Sequence, residues 1–271
     1  MVFPFDLFGA AGTARGAELL ADALKEMIAD NRRERQPTRA DAYQGKLRFR
    51  EFRFETLKDY GDWRSAARQA ARRAWERGEF LLWLSGNHLG VLPVYEALGE
   101  GPGREETLVV QFDAHLDVYN LADCTEELSH GNFLLHARGE LPPVVNAGHR
   151  DLFLKDEHIR RHFRGAYPAA DWDRRRGEIV SGVADHARSA RRVFIDIDCD
   201  VFDPAFFPAA GQPLPFGLSP REVLGVIDAA GWERVGGLAL SEFDPGRDVR
   251  DQSLGTLVWL LEYALLRRYG G

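Results

Sequence analysis

Cysteine is scarce in this chain. Its 271 residues include two, Cys124 and Cys199, with no C-x-x-C pair. Neither a disulfide framework nor a thiolate zinc knuckle is indicated. A basic surplus is also missing: 35 Lys and Arg stand against 42 Asp and Glu, for a formal net charge of -7. Nucleic-acid binders usually show the reverse. No apolar run approaches the roughly 18 residues that a membrane span needs. Met1 to Phe8 carries neither the basic n-region nor the apolar h-region of a secretory signal. Repeats and low-complexity segments are absent as well. These absences predict a soluble protein of the reducing cytoplasm, with neither nucleic acid nor membrane as partner. What remains is ordinary globular composition, 45% hydrophobic and 28% charged. Residues 1–271 are expected to form one domain, large enough to bury a core without staples.

The apolar pattern alternates between short runs and helical segments. Gly16 to Asp30 has Leu19, Leu20, Leu24 and Ile28 at helical spacing. Tyr60 to Arg77 is a second predicted helix, with a core stripe that includes Trp63 and Trp75, and Gly78 suits a C-cap. Phe80 to Leu84 and Thr107 to Phe112 are continuous apolar runs, as buried parallel strands require. Val144 to Gly148 is a weaker run. Ile179 to Ala190 reads as helix and Val193 to Ile197 as strand. Ser219, Pro220 and Glu222 form a capping box that opens a helix to about Ala230. Val235 to Leu240 is a predicted strand and Leu254 to Arg268 the final helix. The polar stretch Asn31 to Gln44 is a predicted loop. Strands alternating with helices imply an α/β fold, a mainly parallel sheet with helices on both faces. In such sheets ligands bind beyond the carboxyl ends of the strands.

Four polar clusters follow four of these strands directly. They are Ser85-Gly86-Asn87-His88, Asp113-Ala114-His115-Leu116-Asp117, Asp196-Ile197-Asp198-Cys199-Asp200 with Asp203-Pro204, and Ser241-Glu242-Phe243-Asp244-Pro245. All therefore fall on one edge of the sheet. Side chains alternate along an extended strand end. Asp113, His115 and Asp117 should point one way together, and so should Asp196, Asp198 and Asp200. Left alone, these carboxylates would repel at a large desolvation cost. Divalent metal ions are the simplest remedy. Carboxylates with some imidazole and no thiolate favour Mn²⁺, with Co²⁺ or Zn²⁺ as alternatives. Six ligands, His88, Asp113, His115, Asp117, Asp198 and Asp200, are too many for one ion with an open position. They suit two ions about 3.5–4 Å apart that share bridging carboxylates.

This pattern resembles the ureohydrolase family, which includes arginase, agmatinase and formiminoglutamase. Its segments G-G-D-H, D-A-H-x-D, a loop H-G, D-x-D-x-x-D-P and E-x-x-P are matched here by 85–88, 113–117, His130-Gly131, 198–204 and 242–245, in family order. The resemblance implies the arginase-like three-layer α/β/α fold and two Mn²⁺. One ion would be held by His88, Asp113, Asp117 and Asp198, the other by Asp113, His115, Asp198 and Asp200. Asp113 and Asp198 would bridge. His130 matches the proton-shuttle histidine, and Glu242 the acid that pairs with the substrate guanidinium. Asp117 joins these two in the expected catalytic set. The chain departs from the family at Ser85 and Asn87, and at Asp196, where serine is usual. His136, His149 and Cys199 are expected to be structural.

Twelve residues lie between Asp117 and His130, the spacing of arginases proper. The slots that hold an α-carboxylate in those enzymes are here Tyr119, Glu126 and Leu128. An acid and two bulky groups disfavour free L-arginine. Acidic Asp123, Glu126 and Glu127 near the mouth would favour basic substrates. The opening Phe3-Pro4-Phe5-Asp6-Leu7-Phe8-Gly9, the stretch 12–17 and Ser129-His130-Gly131-Asn132-Phe133 are similar to peptide arginases, which convert arginine to ornithine within ribosomal peptides. The expected partner is thus a guanidino substrate, first a precursor peptide and then agmatine or another guanidino amine; self-association stays open. Two rivals are a non-catalytic binding module and a single-metal deacetylase-like hydrolase on a related fold.

Overall fold

A computed structural model describes residues 1–54, 56, 60–100 and 103–270. Seven parallel strands form one sheet, β1 (Val2–Phe3), β2 (Leu81–Ser85), β3 (Thr107–Phe112), β4 (Val144–Ala147), β5 (Gly165–Tyr167), β6 (Arg192–Asp198) and β7 (Val235–Ser241). Their order is β1-β2-β7-β6-β3-β4-β5, so β7, β6 and β3 lie at the centre. Every pairing is parallel. All carboxyl ends therefore share one edge, as predicted.

The helices are α1 (Thr13–Asn31), α2 (Tyr60–Glu76), α3 (Leu92–Gly99), α4 (Asp156–His162), α5 (Trp172–Ser189), α6 (Pro220–Ala230) and α7 (Gln252–Tyr269). One face of the sheet packs against α1, α5, α6 and α7 through Leu20, Val183, Val226 and Leu261. The other packs against α2 and α3 through Ala67, Ala71, Val94 and Leu98. This gives the three-layer α/β/α arrangement. Alternation along β6 sorts its residues between the layers. Val193, Ile195 and Ile197 enter the first core, whereas Phe194 faces the second. Asp196 and Asp198 follow Phe194 in phase, and so lie on the side covered by α2 and α3.

The capping box of α6 forms, with the Ser219 hydroxyl accepting from Glu222 N and Glu222 accepting from Ser219 N. Such a cap contributes about 1 kcal/mol. Helix α5 begins seven residues before the predicted Ile179, with a kink at Arg175. Sequence periodicity missed β1, α3, α4 and β5. Helix α3 is buried from Leu92 through Leu98 and so presents no polar face. Trp63 and Trp75 are half-buried at the margin of α2, whose buried residues are Arg64, Ala67, Ala70, Ala71 and Ala74. The expected tryptophan stripe lies at the core margin, with Trp75 packed edge-on against Phe194 and Trp63 against Phe54. Cys199 is buried in the core, and Cys124 is exposed. No helix among the described residues is long and apolar enough to cross a membrane.

Candidate metal centre and cleft

The four motif segments leave β2, β3, β6 and β7 at the carboxyl edge. Their backbones do not stay extended. Asp117 (φ +51°) and Glu242 (φ +59°) both adopt left-handed conformations. That departure corrects the simple alternation expected for 113–117. Asp113 and Asp117 turn to His88, whereas His115 turns to Asp200. His88 Nδ1 lies 2.8 Å from Asp117 Oδ2, 3.1 Å from Asp113 Oδ2 and 3.2 Å from Asp198 Oδ2. His115 Nδ1 lies 2.9 Å from Asp200 Oδ2 and 3.9 Å from Asp113 Oδ1. Two groups have ligand atoms close enough to share an ion: His88, Asp113 and Asp117, and Asp113, His115 and Asp200. Asp113 belongs to both. All six predicted ligands thus converge.

Backbone amides and one guanidinium hold the loops in this shape. His115 N donates to Asp113 Oδ1 (2.7 Å), Asp200 N to Asp198 Oδ1 (2.9 Å) and Ala114 N to Asp200 Oδ1 (3.2 Å). Arg150 donates to the carbonyls of Asp200 and Val201, while its own N–H donates to Ala114 O at 2.8 Å. It links the β3 and β6 loops, and no sequence motif marked it.

Burial and neighbouring carboxylates push Asp113 up to about 7. Burial, with Asp200 and Asp113 beside it, raises Asp198 well above the carboxylate range. Burial alone would raise Asp200 too, but His115 outweighs it and holds Asp200 at about 2. Burial would lower His115, yet Asp200 outweighs it and raises the imidazole to about 10. For His88, burial is outweighed by Asp196 and Asp113, and the ring rises well above its ordinary value. A single ring nitrogen that faces three carboxylates offers one lone pair or one proton, too little for three anions. This donor set of buried carboxylates and imidazole nitrogens fits divalent cations well.

Glu242 is buried beside this cluster. Its Oε1 accepts from His88 N at 3.0 Å and lies 3.2 Å from His130 Nδ1, while Oε2 has no partner among the described residues. Burial would lower His130, but its bond to Glu242 outweighs this and raises it. Gln212 Nε2 sits 3.2 Å from His130 Nε2. Asn87, a departure from the family pattern, donates from Nδ2 to Leu7 O at 2.9 Å, a bond that an aspartate could not make. It secures the opening segment beside the site, where Phe8 O accepts from His130 N at 3.0 Å. A Cβ on Gly9 would come within 2.7 Å of both Asn87 and His130, so the close approach needs glycine.

His88, His115, Asp117, Asp198 and Asp200 form the floor of a cleft of about 330 Å³, with Phe8, Tyr119, Thr125, Ser129, Asn132 and Gln212 among its walls. The expected substrate slots are only partly placed here. Tyr119 lines the cleft, but Glu126 and Leu128 do not. Leu128 packs against the apolar core and Glu126 is exposed. The cause is Asn132, which donates to Thr125 O (3.0 Å) and Glu127 O (2.8 Å) and so curls the loop. Phe8 and Gln212 are not among the site residues expected from the sequence; Phe8 lies in the opening segment likened to peptide arginases, and no motif contains Gln212.

Comparison with known proteins agrees with this geometry. The model of the arginase family matches residues 1–266. The N(1)-aminopropylagmatine ureohydrolase of Thermus thermophilus is 30% identical over 179 residues, covering 66% of this chain and 59% of that protein. The agmatinase of Proteus mirabilis is 28% identical over 176 residues, covering 64% of this chain and 55% of that one. The match thus spans under two thirds of the length of these curated relatives. The fold is similar to the crystal structure of arginase from Bacillus subtilis, with a TM-score of 0.76 at 22% identity, covering 97% of this chain and 96% of that one. With the motif segments gathered at one sheet edge and the family model running almost end to end, the chain belongs to the arginase family.

Proposed function

We propose that residues 1–271 form one catalytic unit that hydrolyses a guanidino group to urea and an amine. The substrate read here has no free α-carboxylate: first an arginine residue within a peptide, which would become ornithine, and second an agmatine-type amine. The observation that carries the reaction class is the convergence of three carboxylates on His88 Nδ1, with Glu242 and His130 alongside. In this reading Asp113 and Asp198 each serve two ions, His88 and Asp117 one of them, and His115 and Asp200 the other. Mn²⁺ is the first choice by donor type. Such ions would lower the pKa of a water towards neutrality and so supply the nucleophile.

The chain's own residues do the rest. Glu242 Oε2, buried and unpartnered, would pair with the planar N–H donors of a guanidinium. Water adds to the guanidino carbon and the bond to the substrate's amine nitrogen breaks. His130 would carry a proton to that nitrogen as it leaves. Asp117 and Tyr119 bound the same space.

The substrate reading rests on charge and on occupied polar groups. No lysine or arginine lines the cleft among the described residues. The Asn132 amide, which would suit a carboxylate, is committed to its own loop. Exposed Asp123, Glu126 and Glu127 make that loop acidic. The second substrate is favoured by the relatives, two of which are named for agmatine or an agmatine derivative. Urea release with Mn²⁺ tests both, by kcat/KM for an arginyl peptide, agmatine and L-arginine at one pH. The peptide should lead. A clear preference for L-arginine overturns the substrate reading, and no urea from any of them overturns the reaction.

A further inference from the structure

Behind the His88 ring, on the side away from Asp113, Asp117 and Asp198, lies a buried pair that the metal-site reading does not use. Asp196 Oδ2 lies 2.8 Å from His88 Nε2 and accepts from the Tyr95 hydroxyl at 2.7 Å. Asp196 and Tyr95 are both fully buried. The fold accounts for the meeting. Asp196 follows Phe194 in phase on β6 and so faces the layer of α2 and α3, from which Tyr95 descends. Phe133 closes the edge of the His88 ring at a centroid distance of 5.0 Å.

We propose that Asp196, held by Tyr95, is a positioning residue that fixes the His88 ring and its tautomer, and so sets the affinity of one ion of the pair above the other. The inference rests on the two-metal reading. Asp196 Oδ2 already accepts from the Tyr95 hydroxyl, and as an acceptor behind the ring it favours the His88 tautomer with its proton on Nε2. Nδ1 then carries its lone pair towards the point where Asp113, Asp117 and Asp198 converge. A serine at 196 could donate or accept and would leave the tautomer open. Partners of this kind behind a ligating histidine typically change metal affinity by about 10- to 100-fold. Tyr95 holds Asp196 on one oxygen only; Asp196 Oδ1 has no partner among the described residues.

The test is Mn²⁺ binding by the full chain, read by chelator competition and electron paramagnetic resonance, in the parent, D196S, D196N and Y95F. The parent should take up two ions. D196S and D196N should hold one of them about 10- to 100-fold more weakly, with the other unchanged within about threefold. Y95F should show a smaller loss at the same ion. Circular dichroism checks that each variant folds, and Y95F, which removes one oxygen, serves if the Asp196 variants do not. Parent-like affinity at both ions, or an equal loss at both, overturns the proposal. A parent that binds no Mn²⁺ overturns the two-metal reading and this inference together, whereas two ions in the parent and unchanged variants overturn this inference alone.

Discussion

His88 and His115 stand at the two ends of one carboxylate cluster, yet the protein treats them differently. The His88 side chain is 1% exposed and His115 is 22% exposed. His88 is gripped at both ring nitrogens, by Asp117 on one side and Asp196 on the other. Among the described residues, His115 pairs with Asp200 and Asp113 through Nδ1, and its ring borders the cleft. In the proposed two-metal reading, His88 would be positioned by the fold before any ion arrives. His115 would be placed mainly by the partner that an ion would share with it. Two imidazoles of one cluster are therefore held to different degrees, and the less enclosed one borders the cleft.

The largest effect should come from Asp198, to which the proposed function gives a part in holding both ions. Asp198→Ala is expected to lower urea release by on the order of 10⁴-fold or more, as when a group that serves a whole site is removed. Both ions should weaken in elemental analysis. Retention of two tight ions would show that Asp198 does not bridge, and would break the comparison at its centre.

His88→Ala and His115→Ala sharpen it next. Each should lose one ion and most activity, but their stabilities should part. His88→Ala leaves Asp196 and Tyr95 buried with a lost partner, a cost of roughly 1–3 kcal/mol in chelator-treated protein. His115→Ala should cost less than His88→Ala, because the His115 ring is partly exposed and Asp200 keeps its bond from Ala114 N. Urea unfolding measures both. Equal destabilisation would mean that the two positions are equally supported by the fold.

His130 lies beyond the ligands, against Glu242 rather than within either cluster. His130→Ala should slow turnover by about 10²–10⁴-fold while both ions stay bound. Loss of an ion in that variant would make His130 a ligand and blur the line between floor and wall.

How much of this was legible depended on how directly each side chain is tied to a strand. The 113–117 and 196–200 segments sit at the ends of continuous apolar runs, so a sheet edge and a converging ligand set followed from spacing. Which carboxylate faces which histidine did not follow from spacing, because left-handed turns at Asp117 and Glu242 re-aim the chain; the pairs seen are among those that the family resemblance implied. Residues 118–131 have no strand to fix them. The direction of Glu126 and Leu128 is decided by hydrogen bonds from Asn132, and slot counting misplaced both. Tyr95 was invisible for another reason. A helix buried over seven consecutive positions shows no period, so nothing marked the one hydroxyl that reaches Asp196.

The smallest expected effect concerns a third imidazole, which carries the comparison outside the site. His149 is buried like His88, but its Nδ1 finds no partner among the described residues. Burial lowers it from 6.5 to about 4, opposite to the rise at His88. The sign follows from proton counting. Between pH 4 and 6.5 the unfolded chain holds a proton on His149 that the folded chain rejects. Stability therefore rises with pH across that window. The contribution is intact above about 6.5 and is lost progressively as the pH falls towards 4. At pH about 5.5 the loss should be near 1 kcal/mol relative to neutrality. His149→Gln removes the titrating group. Its unfolding free energy, from urea titrations of chelator-treated protein at both pH values, should fall about 1 kcal/mol less than that of the parent. Other groups titrate in both proteins and cancel in the difference. If parent and variant lose the same amount on acidification, His149 is not held neutral by burial, and the contrast between a paired and an unpaired buried imidazole does not hold.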